Sequence, residues 1–306
     1  MPAFVSVPLS GWVRSALAAE AQRFLYAEGE RVDFRRPEGE PALGDPSSVG
    51  WQVFKNLATL FIGGVGAVIL ELAEPRVRTG VWEHTSFRTD PGRRLRRTGL
   101  AAMITVYGPR SRAEAMIARV RRMHASVIGM TPEGEAYSAE DPELLDWVQA
   151  TASFGFIEAY RRFARPLSPE GIARYYAEGE AVARLYGASG APKSAGEMEA
   201  LFARMAPKLE ASPVIFEFLT IMRRGLVLPF AARPLQGMLV RAGVEIVPRW
   251  ARETLGLDES WGLRRWERSF LGMVAAIADR TPLEGSPPVE ACLRLGLPPD
   301  FLYRGS

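Results

Sequence analysis

The chain lacks the residues on which several common kinds of site depend. It has one cysteine, Cys292, in 306 residues, so it cannot form an internal disulfide, a cysteine metal cluster or the attachment site of c-type haem. Its only histidines are His84 and His124, which nearly excludes a zinc site made of two or three imidazoles. No Gly-x-Ser-x-Gly motif is present, so the sequence does not indicate a hydrolase of that type.

Long hydrophobic runs are also missing. The longest uncharged stretch covers residues 56–70, and as a helix it would span roughly 22 Å, less than the roughly 30 Å hydrocarbon core of a bilayer. We therefore expect a buried core helix there. The first ten residues have no basic region followed by an apolar run, so no signal peptide is expected. The expected location is cytoplasmic, with a peripheral association with the inner membrane left open.

Alternating strand patterns are almost absent, whereas helix start signals are frequent. A capping residue stands before a proline at Asp90, Asp141 and Ser168. The sequence predicts helices at 49–72, 91–106, 112–128, 142–164, 169–186, 234–247 and 263–280, with capping boxes at 111–114 and 194–197. It predicts an all-α fold: a single helical domain at 48–306, preceded by an N-terminal helix and loop at 1–47.

The glycines of the segment 63–66 resemble part of a dinucleotide-binding motif. Ile69 stands where the third glycine should be, and no βαβ pattern surrounds the segment, so that function is not indicated. Glycine inside a helix costs stability relative to alanine. We expect these glycines to permit a close approach, either of another helix or of something flat.

Positive charge is concentrated in one part of the chain. The window 76–122 contains twelve arginines, no lysine and three acidic residues, a local charge of +9 in a chain of net charge +3. Arg93, Arg94 and Arg97 lie in the first turns of a predicted helix, where carboxylates and phosphates bind well. The window indicates an anionic cofactor, a phosphate or an acidic membrane surface. Nucleic acid is not expected as a partner, because aromatic residues are sparse here.

His124 lies on an apolar face of the predicted helix 112–128. Ile117, Val120, His124 and Val127 have the spacing of one helix face, so the imidazole is expected to point inward. Two interpretations stay open. It is either a core histidine bonded to a backbone carbonyl or an axial ligand of haem iron.

Several short segments, in order, resemble the catalytic domain shared by rubber oxygenase (latex-clearing protein) and the MpaB oxygenases. They are Glu71-Leu-Ala-Glu-Pro75, Gly80-Val-Trp-Glu-His-Thr-Ser-Phe87, Arg94-Leu-Arg-Arg-Thr98, Met123-His-Ala-Ser126, Tyr137-Ser-Ala-Glu-Asp-Pro-Glu143, Trp147-Val-Gln-Ala-Thr151 and Arg165-Pro-Leu-Ser-Pro169. The resemblance implies a mainly α fold with a globin-like core around one b-type haem.

The resemblance also implies roles for particular residues. Arg94 and Thr98 match an Arg-x-x-x-Thr motif of the rubber-oxygenase branch, and His124 matches its proximal histidine. Arg97 stands where that branch has a basic residue near the distal side. Many relatives carry histidine at the positions of Glu74 and Gln149, which cannot supply iron ligands here.

Together these observations predict a haem b-dependent oxygenase or related oxidoreductase that acts on an apolar organic substrate with dioxygen. His124 would bind the iron, and the cofactor-binding residues would be Arg93, Arg94, Thr98 and His124. The distal acid or base is expected among Glu83, His84 and Arg97.

The alternative is a helical protein that binds haem or an apolar ligand without turnover and rests on an acidic membrane surface. The apolar segments 226–230 and 235–247, interspersed with Arg233, Arg241 and Arg249, are compatible with such an association.

Overall fold

The computed structural model describes residues 18, 19, 22, 32–225, 228 and 232–304. Over these residues the fold is almost entirely helical, with α1 (Val49–Phe54), α2 (Leu57–Ala73), α3 (Pro75–His84), α4 (Pro91–Tyr107), α5 (Arg110–His124), α6 (Pro142–Ala159), α7 (Pro169–Tyr186), α8 (Ala195–Met205), α9 (Pro213–Arg224), α10 (Arg233–Ile246), α11 (Arg249–Thr254), α12 (Arg265–Arg280) and α13 (Pro287–Arg294). Strands β1 (Ile128–Met130) and β2 (Ala136–Ser138) form an antiparallel hairpin after α5.

Four short turns complete the described elements: a π-helical turn at Tyr160–Ala164, and 3-10 turns at Ala206–Lys208, Glu259–Trp261 and Phe301–Tyr303. The all-α, single-domain prediction is confirmed. The globin-like core and the boundary at residue 47 stay predictions, and most of the predicted N-terminal helix lies outside the described residues.

α2 is the central helix, and it packs mainly against α6 and α10. Gly63 and Gly155 meet where α2 crosses α6, and a Cβ atom added to Gly63 would lie only 2.8 Å from the carbonyl oxygen of Gly155. On the side facing α10, a Cβ on Gly66 would lie 2.6 Å from the Ile246 side chain, and Gly243 approaches α2 in the same way. Gly63 and Gly66 therefore serve close helix packing, whereas Gly64 has open space around it.

The predicted helix 49–72 is two helices, because the chain turns at Asn56. The backbone of Asn56 is extended, with φ −97° and ψ 99°, and its side chain accepts a hydrogen bond from the Thr59 backbone N–H at 3.3 Å. Its amide nitrogen donates to the Ala275 carbonyl of α12 at 2.8 Å. Asn56 thus acts as the N-cap of α2, a position that asparagine favours.

α5 differs from the prediction at both ends. It begins after Pro109 with no side-chain cap, so the capping box predicted at 111–114 is wrong. The backbone N–H of Ser111 donates instead to the Glu40 carboxylate at 2.6 Å. The helix ends at His124 and not at residue 128, because residues 128–130 pair with β2.

The other predicted helix starts are confirmed. Asp90, Asp141 and Ser168 each accept a hydrogen bond from a backbone N–H in the first turn of α4, α6 and α7, and each is followed by proline. Ser194 caps α8 in the same way. Glu197 accepts from the backbone N–H of the residue before the cap, so only half of the capping box predicted there forms.

The apolar segment 235–247 belongs to the core. Leu239, Val240, Val244 and Ile246 are buried, and α10 packs on α2, so these side chains are not exposed to a membrane. Most of the segment 226–230 lies outside the described residues. Among the described helices, none is by itself long and apolar enough to cross a membrane; α2 and α3 pass that test only as a pair, with a 112° bend between them.

A buried ion pair ties α1 to α12. Lys55 Nζ lies 3.6 Å from Asp279 Oδ2, with the two side chains 0% and 4% exposed. The Tyr160 hydroxyl donates to the same carboxylate oxygen at 3.2 Å, and Lys55 donates to the Leu302 carbonyl at 2.7 Å. Burial lowers the pKa of Lys55 to about 8, against the opposing attraction of Asp279.

Candidate active site

Side chains from four helices come together near the C-terminal end of α2. The Thr151 hydroxyl on α6 lies 3.4 Å from Glu71 Oε1 on α2. Arg94, in the first turns of α4, is close enough to Glu71 for each charge to shift the pKa of the other group. Arg94 acts in the same way on His124, the last residue of α5. The site thus combines a carboxyl, a hydroxyl, a guanidinium and an imidazole.

Helix periodicity explains why Glu71 and Thr151 face each other. Residues four apart lie on one face of a helix, and the closest contacts between α2 and α6 follow that spacing. The facing stripes are Gly63, Ala67 and Glu71 on α2, and Gly155, Thr151 and Trp147 on α6. The Trp147 indole N–H donates to the Leu70 carbonyl at 3.3 Å. The same close packing that needs glycine therefore fixes the position of Glu71.

Glu71 has an unusual proton affinity. Burial raises the pKa of its carboxyl to about 7, against the opposing effects of the Arg94 charge and the Thr151 hydrogen bond. Near neutral pH, the protonated and ionised forms are therefore both populated. A carboxyl with this pKa is suited to general acid–base chemistry.

His124 is held in its neutral form. Burial lowers the pKa of its imidazole, the positive charge of Arg94 lowers it further, and Glu140 acts in the opposite direction. Neutral imidazole is the form that binds metals. Within the described ranges, no side chain is hydrogen-bonded to the ring of His124, so either ring nitrogen, whichever is unprotonated, is free to bind a ligand. Ile117 on the predicted apolar face is buried, but His124 itself is only half-buried.

Arg94 is the cofactor-binding candidate that joins this site. It is half-buried, and burial lowers the pKa of its guanidinium while Glu71 raises it and Arg97 lowers it. In the described part of the chain, its side chain has no carboxylate within hydrogen-bond distance. Arg93, Arg97 and Thr98 are exposed. Of these three, only Arg97 affects a residue of the site, because its charge lowers the pKa of Arg94.

Glu83 and His84 belong to a second cluster. The segment predicted as a loop is the last turn of α3, which ends at His84. The hydroxyl of the buried Tyr137 on β2 lies 3.1 Å from His84 Nε2 and donates to Glu83 Oε2 at 3.4 Å. Both Glu83 and His84 are exposed. No contact between described residues joins them to His124, so their distal role stays a prediction.

The two positions where relatives carry histidine have other surroundings here. Glu74 is buried and caps α3 by accepting from the Val77 backbone N–H at 2.8 Å, and it binds Arg76 at 2.7 Å. Gln149 is half-buried and lines a small surface pocket with Tyr176. The Glu74 carboxylate is therefore occupied with a structural role.

The donor set limits what cofactor this site could hold. Among the described residues, no three His, Cys, Asp or Glu side chains are grouped closely enough to hold a bare metal ion. One free, neutral imidazole beside a half-buried arginine fits a group that brings its own equatorial ligands and carries carboxylates. Haem b would be such a group: His124 would bind its iron, and Arg94 would pair with a propionate.

The fold and the site define an all-α protein in which one arginine, Arg94, interacts with both a buried carboxyl and an imidazole. The family model described as "ER-bound oxygenase mpaB/B'/Rubber oxygenase, catalytic domain" matches residues 51–278, more than half of the chain. The chain belongs to this family of oxygenases, as the sequence motifs predicted, and its reaction partners are dioxygen and a substrate. Neither the curated proteins nor the solved structures include a match to the chain.

Sequence reasoning missed Glu71 and Thr151 as members of the site. Two signals could have found Glu71. It is the first charged residue after the uncharged segment 56–70, and it lies eight residues after Gly63, on the same helix face. Thr151 stands four residues before Gly155 and follows from the same rule on α6.

Proposed function

We propose that the chain is a haem b-dependent oxygenase that acts on an apolar organic substrate with dioxygen. The observation that carries this proposal is His124, which is half-buried, has its pKa lowered by burial and by Arg94, and has no hydrogen bond to its ring from the described residues. When bound, haem supplies the activation of dioxygen, and the protein supplies the binding, orientation and electrostatics.

Glu71 supplies the acid–base function in this proposal. Its carboxyl holds a proton in the site at slightly acidic pH and releases it near neutral pH, since its pKa is about 7. Thr151 orients the carboxylate by its hydrogen bond to Oε1. Glu83, His84 and Arg97 remain proposals for further acid–base roles. Arg97 would act through its charge on Arg94.

The chain's two histidines allow a sharp test of the axial ligand. Hemin is titrated into the wild-type protein, His124→Ala and His84→Ala, with circular dichroism as a check on helix content. We expect one b-type haem per chain with a Soret band in the wild type and in His84→Ala. We expect loose or no binding in His124→Ala, because an axial bond contributes most of the retention.

Three results would contradict the proposal. These are a wild-type protein that takes up no hemin, an unchanged spectrum in His124→Ala, and a loss of binding in His84→Ala alone. Electron paramagnetic resonance adds a second readout. We expect mainly high-spin ferric iron, since His84 lies in a separate cluster and leaves the second axial position open.

The non-catalytic alternative uses the same site, and a measurement of turnover distinguishes it from the oxygenase. Dioxygen consumption by the hemin-loaded protein with an apolar substrate supports the oxygenase. Stable haem binding without dioxygen uptake over a panel of apolar substrates supports a binding protein.

A further inference from the structure

An exposed surface of mixed apolar and basic character lies beside the candidate active site. Met123, Ile128 and Met130 are 44%, 64% and 57% exposed, and they stand at the end of α5 and on β1. Arg119 and Arg122 are exposed on the last turns of α5. We call these five residues the α5–hairpin surface. Large apolar side chains exposed together indicate an interaction site more often than single ones do.

The hairpin holds the apolar side chains outward in a fixed direction. In the antiparallel register, Gly129 lies opposite Tyr137, and a Cβ atom on Gly129 would collide with the Tyr137 ring. Tyr137 faces α3, where its ring lies 3.5 Å from a Cβ built on Gly80. Because side chains alternate along a strand, Ile128 and Met130 project from the opposite face of the hairpin, away from the protein.

Arg119 and Arg122 give this surface positive charge, while the turn of the adjoining hairpin carries the exposed Glu133 and Glu135, of which Glu135 lies 3.4 Å from Arg76. Arg119 and Arg122 lie three residues apart on the outer face of α5, and none of the described residues forms an ion pair with either. Arg93 and Arg97 are also exposed, at the start of α4. This end of α4 lies near His124, because the charge of Arg94 lowers the pKa of His124. Arg76, in the same basic window, differs from Arg119 and Arg122, because carboxylates of Glu74 and three other residues lie around it.

We infer that the α5–hairpin surface docks on an anionic lipid bilayer. The guanidinium groups of Arg119 and Arg122 bind lipid phosphates and carboxylates, and Ile128 and Met130 enter the boundary between headgroups and acyl chains. A nucleic acid would satisfy the arginines but would leave these apolar side chains without a partner, and the surface has no aromatic ring for stacking on bases.

Docking in this way gives the site access to membrane-dissolved molecules. Met123 directly precedes His124, so the bilayer would lie beside the end of α5 that carries the proposed axial ligand. An apolar substrate could then pass from the lipid to the site without crossing water. This consequence rests on the proposed function, whereas the docking itself does not.

The test is flotation of the full chain, without hemin, with vesicles of phosphatidylcholine alone or mixed with phosphatidylserine. We expect binding only to the mixed vesicles, and weaker binding at high salt. The double variant Arg119→Gln/Arg122→Gln should bind about thirty-fold more weakly, since each arginine near an anionic surface contributes about a factor of five. Ile128→Glu/Met130→Glu should lose binding.

α12 offers a matched control, because its Met273 and Ile277 are also exposed, 48% and 41%. Met273→Glu/Ile277→Glu should bind vesicles like the wild type. Equal binding to neutral vesicles, a loss of binding in the α12 variant alone, or binding to duplex DNA but not to vesicles would overturn the inference. Circular dichroism checks folding, and if the hairpin variant unfolds, the arginine variant decides. Hemin titration without vesicles tests the proposed function separately.

Discussion

Replacing Glu71 by glutamine tests whether four helices create a carboxyl with altered proton affinity. The substitution keeps the size and the hydrogen-bonding oxygen of the side chain but removes its ionisation. In the unfolded chain the carboxyl titrates near its ordinary pKa of 4.5, and in the folded protein burial raises that pKa to about 7. The two states therefore bind protons differently between these pH values.

The sign of the effect follows from linkage. Below about pH 4.5 the carboxyl of Glu71 is protonated in both states. Between about pH 4.5 and 7 the unfolded chain has lost the proton while the folded protein keeps it, so rising pH lowers the free energy of unfolding of the wild type. A shift of this size corresponds to about 3 kcal/mol at about 1.4 kcal/mol per pKa unit. Glutamine has no such dependence.

Urea unfolding of both proteins at pH 5 and pH 8 measures this difference. Glu71→Gln should gain up to about 3 kcal/mol relative to the wild type between the two pH values, because all other titrating groups cancel in the comparison. Glu114→Gln, at an exposed position on α5, keeps Glu71 and is the control; its free energy of unfolding should change between the two pH values as that of the wild type does. A constant difference between Glu71→Gln and the wild type would refute the raised pKa.

Other predictions concern packing, the buried ion pair and the anion partner. Gly155→Ala should lower the free energy of unfolding by about 1–3 kcal/mol, because its Cβ would press on the α2 backbone. Gly64→Ala, with open space around it, should raise the free energy of unfolding by about 0.5–1 kcal/mol. Equal effects of the two variants in thermal or urea unfolding would contradict the packing argument. Lys55→Met should lower the free energy of unfolding by about 3–5 kcal/mol, because it leaves the buried Asp279 carboxylate without its lysine partner. A decrease of less than about 1 kcal/mol in urea unfolding would contradict this expectation. Arg94→Gln should weaken hemin binding about ten-fold or more, as loss of a charged hydrogen bond of about 1.5–3 kcal/mol implies, with Arg110→Gln, at an exposed position at the start of α5, as the control that should bind hemin normally.

Local sequence signals predicted most helices because their causes are local. Asp90, Asp141 and Ser168 satisfy backbone N–H groups only a few residues away, so their effect does not depend on the rest of the fold. The same reasoning failed at Ser111, where the side chain suited a cap but the backbone N–H binds Glu40 from a distant segment. It also failed at Asn56, whose capping role depends in part on a contact with α12.

The sequence motifs identified the family and paired Arg94 with His124, and in the structure the charge of Arg94 lowers the pKa of His124. Glu71 was not predicted as a member of the site, because nothing in its neighbourhood along the chain raises its pKa. That shift comes from the burial created where α2, α4 and α6 meet, and it is opposed there by Arg94 and by Thr151, 80 residues away. Proton affinity depends on the total surroundings of a group, and only the tertiary structure assembles them.

The positive charge of the window 76–122 also depends partly on the sequence and partly on the fold. Its composition alone predicted an anion partner, because twelve arginines face only three acidic residues within the window. Which arginines are available was decided by the fold. Arg76 is surrounded by carboxylates, three of them from beyond the window's end, at Glu135, Asp141 and Glu143, whereas Arg119 and Arg122 are exposed. Sequence determines how much charge a segment carries, but neutralisation acts through space, so only the folded chain determines where that charge remains exposed.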